Sequence, residues 1–400
     1  MAAVAFLSTG LPVGTAQYAF GVFVEPLEQE FGWSRGQITF ALSFGVISGL
    51  ISPFVGRLVD RVGARPVMVV SIGLMAIGFL LRPLITELWQ FYLFSTLVYL
   101  GFPGATSVVL GRLVGLWFPT TRGRMMGTVT AGNNFGGLTM GPLAGVLIAL
   151  SGWQLGYVVF GALLALLAVI AFFVVKERNE EVAAEAKRTR RSEGFAAASR
   201  AAARAGFTLA EVVRMPAFWL ITAGLTCAAF TYQGVLTQLV PHLTNEGFQR
   251  GHAVAAQSVI AAVGIGSKLF FGGLTERINA RKATAICVSL QAAGVTLLIL
   301  PFGTPVLWAG VLVYALGFGG LGALIVLAIT ETFGLKQFGS IMGIVSLVMT
   351  IPTAVGPLIA GLVYDAAASY RLSFAVVIAM FAVGIVCMLF ARPPKMPASS

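Results

Sequence analysis

The chain has 400 residues, 58% of them hydrophobic and only 10% charged, with a mean hydropathy of +0.91, a composition that excludes a soluble globular domain. The formal charge of +11 would suit a nucleic-acid binder, but the basic residues sit in short stretches between apolar runs, where the excess of Lys and Arg on the cytoplasmic side of membranes accounts for them. A crossing helix needs roughly 20 apolar residues, so this length has room for about twelve.

In the first half, apolar runs broken by charges and turn residues predict spans over Ala2–Val24, Ile38–Leu58, Pro66–Leu81, Trp89–Leu116, Met125–Leu150 and Trp153–Val175. Met1 leads straight into the first run without a basic segment or a small-residue cleavage site, so that run is expected to be a helix rather than a signal peptide. Lys176–Arg214 then carries nine Lys/Arg and six Asp/Glu, which predicts a solvated linker, partly helical along the membrane surface. The second half predicts spans over Phe218–Val240, Ala253–Leu274, Ala283–Leu300, Val306–Ile329, Ser340–Tyr364 and Leu372–Phe390.

The expected fold is an all-α membrane protein of twelve transmembrane helices in two pseudo-symmetric six-helix bundles, residues 1–175 and 215–400, joined by residues 176–214. Arg112 and Lys268 fall inside spans; of the other Lys/Arg, twenty lie on the linker's side and only Arg35, Arg82, Arg250 and Arg371 on the other. Both termini and the linker are therefore expected in the cytoplasm of a cell whose inner membrane holds the chain.

The halves repeat one another. Gly56-Arg-Leu-Val-Asp60-Arg61-Val-Gly63-Ala-Arg65 recurs 216 residues later as Gly272-Gly-Leu-Thr-Glu276-Arg277-Ile-Asn279-Ala-Arg281, and Leu100-Gly-Phe-Pro-Gly104 recurs as Leu316-Gly-Phe-Gly-Gly320 at the same offset. A parallel repeat places the bundles around a pseudo-twofold axis along the membrane normal, with a solute path between them. The Gly56–Arg65 loop resembles the signature loop between helices 2 and 3 of the major facilitator superfamily. Its glycines allow a tight turn and its acid is suited to a basic partner or a helix N-terminus, so Asp60, Arg61, Arg65, Glu276, Arg277 and Arg281 are candidate gating residues. Gly132 and Gly141-Pro142-x-x-Gly145 resemble the glycine-proline motif of exchangers in that superfamily, though close helix packing explains them as well.

No phosphate-cradling G-x-x-x-x-G-K-[ST] sequence, Ser/His/Asp grouping or paired intramembrane carboxylate occurs, so neither ATP hydrolysis nor intramembrane enzymology is expected, and no cofactor. Cys227, Cys287 and Cys387 lie in apolar runs too far apart for metal-ligand spacing. His242 and His252 stand at span ends and are expected to be loop-facing structural residues.

All fifteen Asp/Glu fall in loops, linker or span ends, whereas Lys268 lies inside the eighth span. An ionisable residue in a span costs about 2.5–3.5 kcal/mol or more and usually faces a cavity with a partner. No acid stands at its depth, which makes a bound solute the expected partner. Arg112 and Arg82, near span ends, are expected to snorkel or pair with loops.

Gly21–Arg35, Leu116–Gly123 and Arg214–Trp219 resemble, together with the features above, the monocarboxylate-porter and oxalate–formate-exchanger branch of the superfamily. That resemblance implies a helix 8 cation that binds the substrate carboxylate, here Lys268, and it makes Gln17, Tyr18, Ser107, Asn133 and Phe318 cavity residues. Tyr232 and Gln233 are the counterparts of the Gln-Tyr pair across the repeat. The second cation that the oxalate exchanger carries in helix 11 is absent from Ser340–Tyr364, and the Asp of animal porters one turn before the helix 8 cation is Gly264 here. The resemblance thus implies secondary transport of a small lactate- or pyruvate-like monocarboxylate by a monomer. Lys268 is then the group expected to couple transport to protons, because lysine, unlike arginine, gives up its proton in dry surroundings. An organic-anion exchanger and a drug or cation exporter are the alternatives.

Overall fold

In a computed structural model of the protein, the described residues are 1–118, 121–175, 206–236, 238–239, 242–243, 247–248, 250–300, 303–352, 370–392 and 394. Among them, the chain forms twelve longer helical segments, besides the short turn of helix Leu209–Val212. α1 begins as Ala2–Val13, widens into a π turn at Gly14–Tyr18, tightens to a 3-10 turn at Phe20–Phe23 and ends as Val24–Phe31. α2 is Gly36–Val62, α3 Ala64–Leu84 and α4 Leu88–Trp117. α5 and α6 are the two arms of Arg122–Val174, broken where Ser151 and Gly152 leave helical geometry.

In the second half, α7 runs from Pro216–Phe230 into a second π turn, Thr231–Leu236. α8 is Arg250–Leu274, α9 Ala280–Ile299, α10 Thr304–Phe333, α11 Phe338–Pro352 and α12 Tyr370–Phe390. Residues 176–205 of the sequence-predicted linker and the outer ends of the seventh and eleventh predicted spans lie outside the described residues. The linker's last residues dock on the second bundle: Phe207 donates its N–H to Phe333 O at 3.0 Å and Leu209 to Gln337 Oε1 at 2.6 Å. There Thr208 and Glu211 form a capping box around the turn Leu209–Val212, and the hydrogen bonds from Thr208 hold the Glu211 carboxyl below its ordinary pKa.

The helices exist because every backbone polar group in hydrocarbon needs an internal partner. Their packing is set by small residues rather than by apolar driving force. Gly56 and Gly339 bring α2 against α11 so closely that a Cβ on Gly56 would overlap the Gly339 carbonyl. At the symmetric place, a Cβ on Gly123 of α5 would overlap the Gly272 carbonyl of α8. Gly56 and Gly272, expected to serve turns, are instead the contact points between bundles. The turn falls to Gly63, with φ +93°, while in the second copy Asn279 caps α9 by accepting the Lys282 N–H at 3.0 Å.

Candidate functional site

Between the two bundles lies a cavity of about 430 Å³, walled by α1, α2, α4 and α5 on one side and by α7, α8, α10 and α11 on the other. Both π turns, Gly14–Tyr18 and Thr231–Leu236, fall on its walls at corresponding points of the repeat. Such local widenings often mark functional sites, because the extra residue turns adjacent side chains out of register. On α1 it exposes Gln17 and Tyr18 toward the cavity; on α7 it presents Tyr232, whose ring meets Phe318 edge-on at 5.5 Å.

Lys268 enters from α8 and is only 6% exposed. Its Nζ donates to the Thr130 carbonyl at 3.0 Å and to Asn134 Oδ1, both on α5. Asn134 is held in turn by donating from Nδ2 to the Ala261 carbonyl at 2.7 Å, about two turns back along α8 from Lys268. Among the described residues, the partners of the ammonium are therefore neutral, and they occupy two of its three donors. Lys268 also borders the cavity, which leaves the remaining donor a route to a bound solute.

Of the sequence-expected residues, Gln17, Tyr18, Ser107, Asn133, Tyr232, Lys268 and Phe318 all line this one cavity. The Gln233 side chain lies outside the described residues. Sequence reasoning missed Asn134 and the Thr130 carbonyl. The available signal was the spacing of one helical turn between Thr130 and Asn134, which puts both on the same face of α5.

The candidate gating residues divide. Asp60 accepts the backbone N–H of Gly339 at 3.0 Å, the N–H and hydroxyl of Ser340 at 2.7 Å each, and Arg112 Nη1 at 3.2 Å. Glu276 accepts the Arg124 backbone N–H at 3.2 Å and its Nε at 2.8 Å. Each acid thus sits on the N-terminus of a helix from the opposite bundle, where the unpaired N–H groups and the helix dipole favour negative charge. Arg281 is within electrostatic reach of Glu331, which accepts the Ala280 N–H at 2.6 Å. Arg65 lies over the Phe172 ring at 4.6 Å within its own bundle, and Arg61 and Arg277 are exposed.

Two expectations are corrected. Arg82 neither snorkels nor pairs with a loop: it is 3% exposed, donates to Ser95 Oγ at 3.1 Å, and lies 4.7, 5.1 and 4.8 Å from the rings of Phe79, Phe91 and Tyr157. Attraction to three ring faces replaces part of its hydration. His242 is not loop-facing but buried, with its ring 4.7 Å from Phe374 and Nε2 3.2 Å from the Leu298 carbonyl. His252 is exposed on the first turns of α8.

The family model for the Major Facilitator Superfamily matches residues 6–351 and, in a second segment, 268–400. Among curated proteins, the chain is 24% identical over 371 residues to the uncharacterized MFS-type transporter YcxA of Bacillus subtilis, covering 90% of this chain and 87% of that one. It is 26% identical over 381 residues to monocarboxylate transporter 3 of Rattus norvegicus, covering 92% of this chain and 74% of the other. Among solved structures, the proton:xylose symporter XylE superposes with a TM-score of 0.76 at 15% identity, over 98% of this chain and 95% of that one, a likeness of fold.

Proposed function

The chain belongs to the major facilitator superfamily, a multi-pass membrane transport protein and not an enzyme, and from that premise we propose that it is a secondary carrier of a small monocarboxylate, driven by protons. One observation carries the reading: the Lys268 ammonium, buried beside the cavity, has only neutral partners among the described residues. Two neutral hydrogen bonds offset part of the cost of a charge at this depth, and a substrate carboxylate would supply the rest. The similarity to a monocarboxylate transporter favours the same substrate class.

The substrate is a monoanion, because Lys268 is the one cation lining the cavity among the described residues. A dianion would leave one carboxylate unpaired. Gln17, Tyr18, Ser107, Asn133, Tyr232 and Phe318, with Gln233 as the repeat suggests, complete the pocket. Lys268 also carries the coupled proton. Anion binding favours its ammonium form, so the loaded site is nearly neutral and able to close, while the empty carrier returns with the amine. Asp60 and Glu276 release as the bundles rock, with Arg61, Arg65, Arg277 and Arg281 holding the same face against the cytoplasmic headgroups. The bundles are residues 1–175 and 215–400, the linker and termini are cytoplasmic, the membrane is the cell's inner one, and the working unit is the monomer. Exchange of organic anions is the second reading, favoured by the absence of any acid from the cavity lining among the described residues.

The test is uptake of labelled lactate or pyruvate into proteoliposomes with and without an inward proton gradient. The gradient should accelerate uptake, and succinate or oxalate should compete far less well than either monoanion. Tighter binding of the dicarboxylates would overturn the one-charge site, and uptake driven only by internal anion would favour the exchanger.

A further inference from the structure

The lining that Lys268 shares is rich in hydroxyl groups whose own protons are already committed. Thr9 donates to the Phe6 and Val129 carbonyls at 2.7 and 2.6 Å, Ser52 to Ser48 O at 2.7 Å, Thr106 to Phe102 O at 2.8 Å, Thr130 to Met126 O at 2.9 Å and Thr350 to Ser346 O at 3.0 Å. All five residues border the cavity. A hydroxyl has one proton and two lone pairs, so a hydroxyl whose proton is held by a backbone carbonyl of its own helix, or in Thr9 is shared with one of α5, has only acceptor capacity left for a solute. Asn133 also borders the cavity, and its Oδ1 is buried with no hydrogen-bond partner among the described residues.

A wall of acceptors is matched by a ligand with several donors. In the open cavity water fills that role; when the bundles close and water leaves, donors must come from the solute. Ammonium groups would supply them, but Lys268 repels a second cation in the same space. Neutral O–H groups remain. The volume agrees, since about 430 Å³ lies in the roughly 300–1,000 Å³ range of sites that enclose drug-sized ligands, far larger than lactate needs.

We infer that the substrate is a polyhydroxylated monocarboxylate, a sugar acid of gluconate size, with its carboxylate at Lys268 and its hydroxyls donating to the Thr and Ser wall; this rests on the monocarboxylate reading above and narrows it. Pyruvate, with no donor, and lactate, with one, would leave most of these acceptors bare.

Isothermal titration of the purified protein in detergent with gluconate, lactate, hexanoate and glucose separates the two readings. Gluconate should bind at least about tenfold tighter than lactate or hexanoate, the equivalent of one or more added hydrogen bonds, and glucose should give no heat. T106V should narrow the gap between gluconate and hexanoate. Lactate or hexanoate binding as tightly as gluconate would overturn the sugar-acid inference and leave the carboxylate reading standing. Glucose binding as tightly as gluconate, or no heat from any of the four, would overturn the carboxylate reading and this inference with it.

Discussion

The Asp60 carboxylate and the Ser340 backbone N–H meet at 2.7 Å across the two bundles, and the mate of this contact, Glu276 on the Arg124 N–H at 3.2 Å, stands 216 residues away at each position. The signature loop and its repeat are thus one latch made twice, each acid reaching from its own bundle to the first turn of a helix in the other. The Asp60 copy is the stronger, for it takes three bonds from the start of α11 and is neutralised by Arg112.

Replacing Asp60 by Asn keeps one acceptor and removes the charge. Charge-assisted hydrogen bonds are worth about 1.5–3 kcal/mol against about 1 for neutral ones, so the latch should weaken by about 2 kcal/mol, roughly 30-fold in the ratio of closed to open on that face. In a cysteine-free background, Ser346→Cys in the cavity should then react faster with an impermeant thiol reagent applied to inside-out vesicles. Unchanged labelling would show that Asp60 does not hold this face shut.

Asn134→Asp places a carboxylate where Lys268 now meets an amide. An internal ion pair should form, compete with the substrate carboxylate and lower anion affinity by at least about tenfold, while the thermal midpoint holds or rises. Parental affinity in this variant would remove Lys268 as the carboxylate's partner.

Arg82→Ala should act on stability alone. Losing a buried cation that lies within 5.1 Å of three ring centroids, and leaving a void, should cost about 3 kcal/mol and lower the melting midpoint by several degrees. The KM for substrate should not change, since Arg82 is not among the cavity-lining residues. A raised KM in a protein that melts normally would contradict this.

The proposed sidedness is tested by Ser192→Cys in the linker, again in a cysteine-free background. Membrane-impermeant maleimide should fail to label it in intact cells and succeed in inside-out vesicles; labelling from outside would reverse the topology.

Much of this was legible in the sequence because a membrane leaves few choices. The spans follow from hydropathy, and Lys268 stands out because no other Lys or Arg lies so far from a span end. What sequence could not supply was rotation and packing. Asn133 and Asn134 are neighbours about 100° apart on a helix, and which one meets Lys268 depends on how Gly127 and Gly132 seat α5 against α8 and α1. Arg82 sits near a span end, where snorkelling is the ordinary fate, and its cage comes from three helices whose adjacency no local pattern encodes. Gly56 reads as a turn residue until α11 is brought against it.

The central claim is that Lys268 binds the substrate anion and carries the coupled proton. Lys268→Arg and Lys268→Gln, reconstituted beside the parent, should be compared for labelled-anion exchange at equal pH and for net uptake driven by an inward proton gradient. Arginine keeps its proton, so that variant should bind and exchange the anion yet lose acceleration by the gradient, and the glutamine variant should lose binding altogether. An arginine variant that still concentrates substrate in response to the gradient, as the parent does, would assign the proton to another group and contradict the claim.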